Sequence, residues 1–137
     1  MAGFIFNEGA ESLLDGTINW ASDTIRARPV LTSAEAAVNK DATVMTGIGV
    51  TGYDVVLGSK TRTKDDATDR IVYDAADFAF TAVLGAVGEV NHFVVFKFVT
   101  NDAASVPIAK VAMTAITPNG GDINVTVSAS GLFYTQQ

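Results

Sequence analysis

Catalysis needs a side chain that can move a proton, attack an electrophile or hold a metal, and this chain carries few of them. His92 is its only histidine. It shares one side of an alternating pattern with Val94, Phe96 and Phe98. A core or interface position is therefore expected, since a general base needs an oriented nucleophile or substrate beside it. No Gly-x-Ser-x-Gly elbow occurs to present a serine. There is no cysteine, which removes disulfides and thiolate metal sites.

Carboxylates are more numerous. Asp65, Asp66, Asp69, Asp74 and Asp77 lie close together, and oxygen clusters can hold Ca²⁺. The spacing is not that of an EF-hand, and Lys64 and Arg70 are interspersed. The expected reading is a solvated loop, with calcium binding by residues 65–77 left open. A pair of carboxylates for glycoside cleavage would need a separation that spacing alone does not give. Gly47-x-Gly49-x-x-Gly52 has the spacing of a dinucleotide loop, but that loop must lead into a helix. Residues 53–57 (Tyr-Asp-Val-Val-Leu) read as a strand instead. No catalytic residue, cofactor or metal site is assigned, and the chain is expected not to be an enzyme.

The elements that would position any site are mostly strands. One short helix is expected over residues 7–16, from the spacing of Phe6, Ala10, Leu13 and Leu14. Asn7 could cap it, Glu8 and Glu11 suit its positive end, and Gly16 could end it. Gly9 disfavours it by about 1 kcal/mol relative to Ala. Trp20, the only tryptophan, is expected to plug the core between helix and sheet.

Residues 24–32 alternate Ile25, Ala27, Pro29 and Leu31 against Arg26, Arg28 and Val30. Pro29 lacks a backbone donor, which places this strand at an edge or breaks it. Arg26 and Arg28 then either form a solvated face that discourages aggregation or anchor a protein interface. Residues 33–41 read as a loop or one helical turn. Residues 43–48 and 53–57 are short strand candidates among glycines. The charged stretch 60–74 is expected to have an exposed turn at its centre. Residues 77–84 alternate again. Residues 89–100 are the strongest strand, apolar on both faces, so it is central or faces a partner. Residues 108–116 and the run Ile123, Val125, Val127 flank Pro118-Asn119-Gly120-Gly121-Asp122, and a hairpin is expected there. Residues 131–134 add a last strand. The fold class is mainly β: a β-sandwich or jelly-roll-like single domain over residues 1–137, its sheets spanning 24–137, with a short N-terminal helix.

Composition narrows the partners. Of 137 residues, 48% are hydrophobic and 18% charged, with a formal net charge of −6, so a packed core is expected and disorder is not. An acidic chain without a basic cluster is a poor ligand for phosphate backbones, so nucleic acid is not an expected partner. The start, Met-Ala-Gly-Phe-Ile-Phe-Asn-Glu, has no basic n-region and no long apolar run. No stretch reaches the roughly 20 apolar residues of a membrane span. Neither a secretory leader, a membrane nor a small-molecule substrate is expected. Phe4, Ile5 and Phe6 either reach out as an arm (residues 1–6) onto a neighbour or fold back onto their own core.

The order of several segments carries a resemblance. A helix ending at Gly16 is followed by residues 17–25 (Thr-Ile-Asn-Trp-Ala-Ser-Asp-Thr-Ile). Then come residues 74–82 (Asp-Ala-Ala-Asp-Phe-Ala-Phe-Thr-Ala), an apolar strand from Val90, residues 119–125 (Asn-Gly-Gly-Asp-Ile-Asn-Val) and a final Gly131-Leu132-Phe133. This resembles a family of small tailed-phage virion structural proteins, among them capsid decoration or cement proteins. Relatives read more aliphatic where Arg26, Arg28 and Pro29 stand here. The resemblance implies a homo-oligomer that binds the major capsid protein on the outside of the capsid and stabilises the head. The protein would be made in the host bacterial cytoplasm and located in the virion. A tail or head-fibre component is the alternative within the particle. A carbohydrate-binding module using Trp20, Tyr53, Tyr73 and Tyr134 is the alternative outside it.

Overall fold

A computed structural model describes residues 3–136 and shows a mainly β, sandwich-like body. Its centre is the pair β2 (Ile25–Leu31) and β7 (Val90–Lys97), antiparallel from Ile25 opposite Lys97 to Leu31 opposite Val90. β8 (Val106–Ile116) pairs with the other side of β7. β1 (Phe4–Ile5) adds to β8 and β3 (Val55–Val56) to β2, giving the order β1-β8-β7-β2-β3. A second sheet has the order β10-β5-β4, from β4 (Thr61–Asp65), β5 (Arg70–Asp74) and β10 (Phe133–Gln136). β6 (Phe78–Phe80) and β9 (Ile123–Val125) form a third, two-stranded sheet.

Strand alternation sorts the apolar residues onto two faces of the large sheet. Ile25, Ala27, Phe93 and Val95 meet Tyr73, Phe80, Ile123 and Phe133 of the smaller sheets in the main core. Trp20 lies in this core, edge-on to Tyr73 and Phe133, and its indole N–H donates to the Asp74 carbonyl at 3.0 Å. Val30, Val94 and Phe96 face the other way, into a second cluster closed by Phe6, Met45 and Ile48. The apolar two-sidedness of β7 is therefore satisfied within the chain: β7 is a central strand, covered on both faces.

α1 (Asn7–Asp15) ends at Gly16 in the left-handed conformation, φ 84°. Its contact face is rotated from the expected one, keeping Phe6 and Leu13 but not Leu14. Gly9 and Ser12 are buried, whereas Leu14 is 89% exposed. A Cβ on Gly9 would sit 2.6 Å from the Ile108 Cα and the Pro107 carbonyl oxygen. Glycine thus lets α1 lie directly on the β8 backbone, which explains a residue that costs helix propensity. Asn7 does not cap; it donates to Asp41 at 2.6 Å, and the N-cap residue is Phe6.

Other expectations need correction. β2 is not an edge strand: Pro29 tolerates an interior place because its carbonyl accepts from Val50 N–H on the side away from β7. Residues 43–48 form turns, not a strand. β8 and β9 do not make a hairpin, because β9 pairs with β6 instead. Gly120 N–H donates to the Val83 carbonyl and Val83 N–H to the Gly121 carbonyl, which hooks the loop sideways onto β6's end. Phe4 and Ile5 pair with Lys110 and Ala109, and Phe6 is fully buried, so residues 3–6 fold back on their own core. Met1 and Ala2 of the expected arm lie outside the described residues.

Candidate functional site

The face of the large sheet that carries Val30 and Val94 also carries cations, because Arg26, Arg28 and Lys110 occupy the same alternation phase. Arg28 is only 3% exposed. A buried guanidinium must satisfy five N–H donors, and here all five are engaged. Nε and Nη2 hold the two oxygens of Asp54 at 2.7 and 2.9 Å. Nη2 and Nη1 hold those of Asp102 at 2.8 and 2.9 Å, and Nη1 also reaches the Ile48 carbonyl at 3.1 Å. Its hydrogen bonds to Asp54 and then Asp102 push the Arg28 pKa further above its ordinary value. The bond from Arg28 holds the Asp102 carboxyl below the usual carboxylate range.

Arg26 completes a balanced set of two arginines and two aspartates. Its guanidinium stacks 3.5 Å from the Phe98 ring centroid, with Nη1 3.9 Å from Asp54. The two arginines thus fasten the glycine-rich loop before β3 and the loop after β7 onto β2. Neither alternative set out for Arg28, a solvated face or an interface anchor, holds, since it is buried with no donor left to offer. Arg26 keeps partial exposure but is committed to Phe98 and Asp54.

Lys110 repeats the device on β8. Its ammonium donates to the Glu35 carboxylate at 2.8 Å and the Glu35 carbonyl at 3.1 Å, with the Phe4 ring 4.7 Å away. The bond from Lys110 lowers the Glu35 pKa. His92 is buried beside this pair, Nδ1 2.8 Å from Asn91 Oδ1 and 3.9 Å from Glu35. The single histidine is therefore a core residue on the face its alternation indicated.

The acidic segment does not converge. Asp65 accepts from Thr68 and Ala67 at the β4–β5 turn, Asp74 from Ala75 N–H and Asp77 from Val127 N–H, while Asp66 pairs with Lys64. No group of three His, Asp or Glu side chains suited to a metal occurs among the described residues. Gly47, Gly49 and Gly52 all have positive φ and lead to β3, not to a helix. Of the aromatics, Trp20 and Tyr73 are buried, and Tyr134 is exposed but covered on one face by Arg70, 4.0 Å from its ring centroid.

A half-open groove of about 750 Å³ lies between residues 111–116 of β8, residues 123–128, and residues 130–134. Phe93, Ile123, Leu132 and Phe133 form its floor, and no charged residue lines it. Such a surface offers apolar contact and backbone hydrogen bonds, not acid–base chemistry. Residue patterning did not locate the groove, because it arises where β9 departs toward β6. Asp54, Asp102, Glu35 and Lys110 were missed too. The one available signal was a lone lysine inside the apolar run of β8.

Comparison with protein-family models, curated proteins and solved structures finds no match to this chain.

Proposed function

We propose that this chain is a structural protein of a tailed-phage virion, a decoration or cement protein bound to the outside of the capsid. Its partners are the major capsid protein and further copies of itself. The resemblance in segment order supports this reading, and one structural observation carries it. The buried cations Arg28 and Lys110 are spent on fastening loops, while the groove beside β8 is uncharged and bordered by strand edges. A groove without charge suits contact with protein better than with an ionic ligand. Binding only the assembled lattice, and not free subunits, stabilises a shell by linkage, and many symmetric copies add avidity. The burial of Trp20 and Tyr73 counts against the carbohydrate reading, which needs exposed aromatic platforms.

The test is co-sedimentation of the purified chain with capsids of the virus that encodes it, followed by cryo-EM of the pellet. Regular density outside the shell, with raised capsid melting temperature, is expected. Capsids that pellet without the chain would refute the proposal.

A further inference from the structure

We infer that the groove is where two copies of this chain meet, by antiparallel addition of β8 to β8 across a two-fold axis at Thr114. The inference deepens the assembly reading above, on which it rests, by naming an occupant.

The first argument is the open edge. β1 covers the outer edge of β8 only at Ala109 and Lys110, and Gly3 lies against Lys110 and Val111. Beyond that point residues 112–116 have no strand partner on their outer side among the described residues. Between the pairs His92–Ala112 and Val90–Ile116, three β8 residues stand against Asn91 alone. Residues in such a bulge leave ladder groups unpaired.

The second argument is charge. Two chains of net charge −6 repel, so self-association needs a face free of its own acids. None of the residues lining the groove is charged. The exposed edge at β4, by contrast, carries Arg62, Lys64 and Asp65, the usual guard against strand addition. Elsewhere in the large sheet β3 has two residues, and past it the β2 edge carries Pro29, which has no N–H to offer and whose carbonyl is taken by Val50.

The third argument is symmetry. A two-fold contact uses the same patch on both copies. In an antiparallel pair, opposed residues share a face, so the axis must pass through a residue and not between two. The free segment 112–116 is centred on Thr114. Thr114 then opposes Thr114, Ala112 opposes Ile116, and Met113 opposes Ala115. No like charges meet, a cross-strand Thr–Thr pair is favourable, and Ile116, now 40% exposed, is covered.

The chain has no cysteine, so single-cysteine variants report contacts cleanly. Opposed residues at the axis fall within disulfide reach. Thr114→Cys should form a disulfide-linked dimer under mild oxidation, whereas Ala115→Cys and the distant Thr63→Cys should not. Sedimentation equilibrium should give a dimer for the unmodified chain and a monomer for Thr114→Lys, with its melting curve preserved. If Thr114→Lys fails to fold, the cysteine pattern decides alone. A monomer at all concentrations, or an oligomer in which Thr114→Cys does not cross-link, overturns the inference. A dimer that fails to bind capsids would leave it standing and refute the capsid proposal; a monomer that binds capsids would do the reverse.

Discussion

Arg28 and Asp102 are 74 residues apart in sequence, and Arg28 Nη2 lies 2.8 Å from Asp102 Oδ1. The bond joins the second strand of the chain to the loop that follows its seventh. The same guanidinium holds Asp54, so one side chain closes two loops over one sheet face. Removing it leaves Asp102 without this counter-charge and Asp54 with only the longer, 3.9 Å contact to Arg26. Arg28→Met should lower unfolding free energy by about 3 kcal/mol, the scale for breaking a buried pair from one side. Arg28→Lys should recover little of it, because an ammonium cannot grip two carboxylates bidentately. Urea denaturation followed by tryptophan fluorescence measures both.

Asp102 also sets a pH dependence. Its folded pKa is depressed below 3.8 by the Arg28 hydrogen bond. A depressed carboxylate contributes stability that is fully present above its ordinary pKa and is lost as pH falls through the folded value. Glu35, depressed by Lys110, acts in the same direction from an ordinary value of 4.5. Stability should therefore be flat from pH 7 to about 5 on their account and fall below pH 4. In Asp102→Asn the neutral-pH stability should be lower and the acid slope shallower. A slope unchanged by the substitution would show that Asp102 does not drive the loss.

Gly9→Ala reverses the usual expectation for a helix. Alanine favours an isolated helix by about 1 kcal/mol. Here its Cβ would meet the β8 backbone at 2.6 Å, and backbone cannot step aside as a flexible side chain can. The variant should be less stable by about 1–2 kcal/mol, read as a lower melting temperature. A stabilised variant would mean that α1 does not rest on β8.

Phe6 plugs the second apolar cluster and is fully buried. Phe6→Ala should cost about 3–5 kcal/mol. Truncation through Phe6 should be at least as damaging, seen as loss of the cooperative unfolding transition. A truncated chain with native stability would return these residues to the status of an external arm.

The strands legible from sequence are those whose alternation is strong. β2 and β7 were found, with their two faces sorted, and Gly16 marked the end of α1. What could not be read is what covers a face. Alternation places Arg28 opposite Ile25 and Ala27, and it reads as solvated unless Met45 and Ile48 are known to lie over it. The same holds for Asp54 and Asp102, whose local setting is that of ordinary turn residues. Asn119-Gly120 announced a turn correctly but not the partner beyond it. The hydrogen bonds to Val83 that divert β9 toward β6 are long-range and leave no local signature.

The direction of β1 has a practical side. Because Phe4 opposes Lys110 and Ile5 opposes Ala109, stepping backward along β1 means stepping forward along β8, toward Val111. An affinity tag joined ahead of β1 is thus delivered beside the open edge, where it competes with any strand that would dock there. The opposite terminus runs past the groove at Tyr134 before it leaves. Gln136 Nε2 donates to the Thr68 and Asp69 carbonyls at the tip of the β4–β5 turn. Purification handles and fluorophores intended to leave the groove free belong at that end.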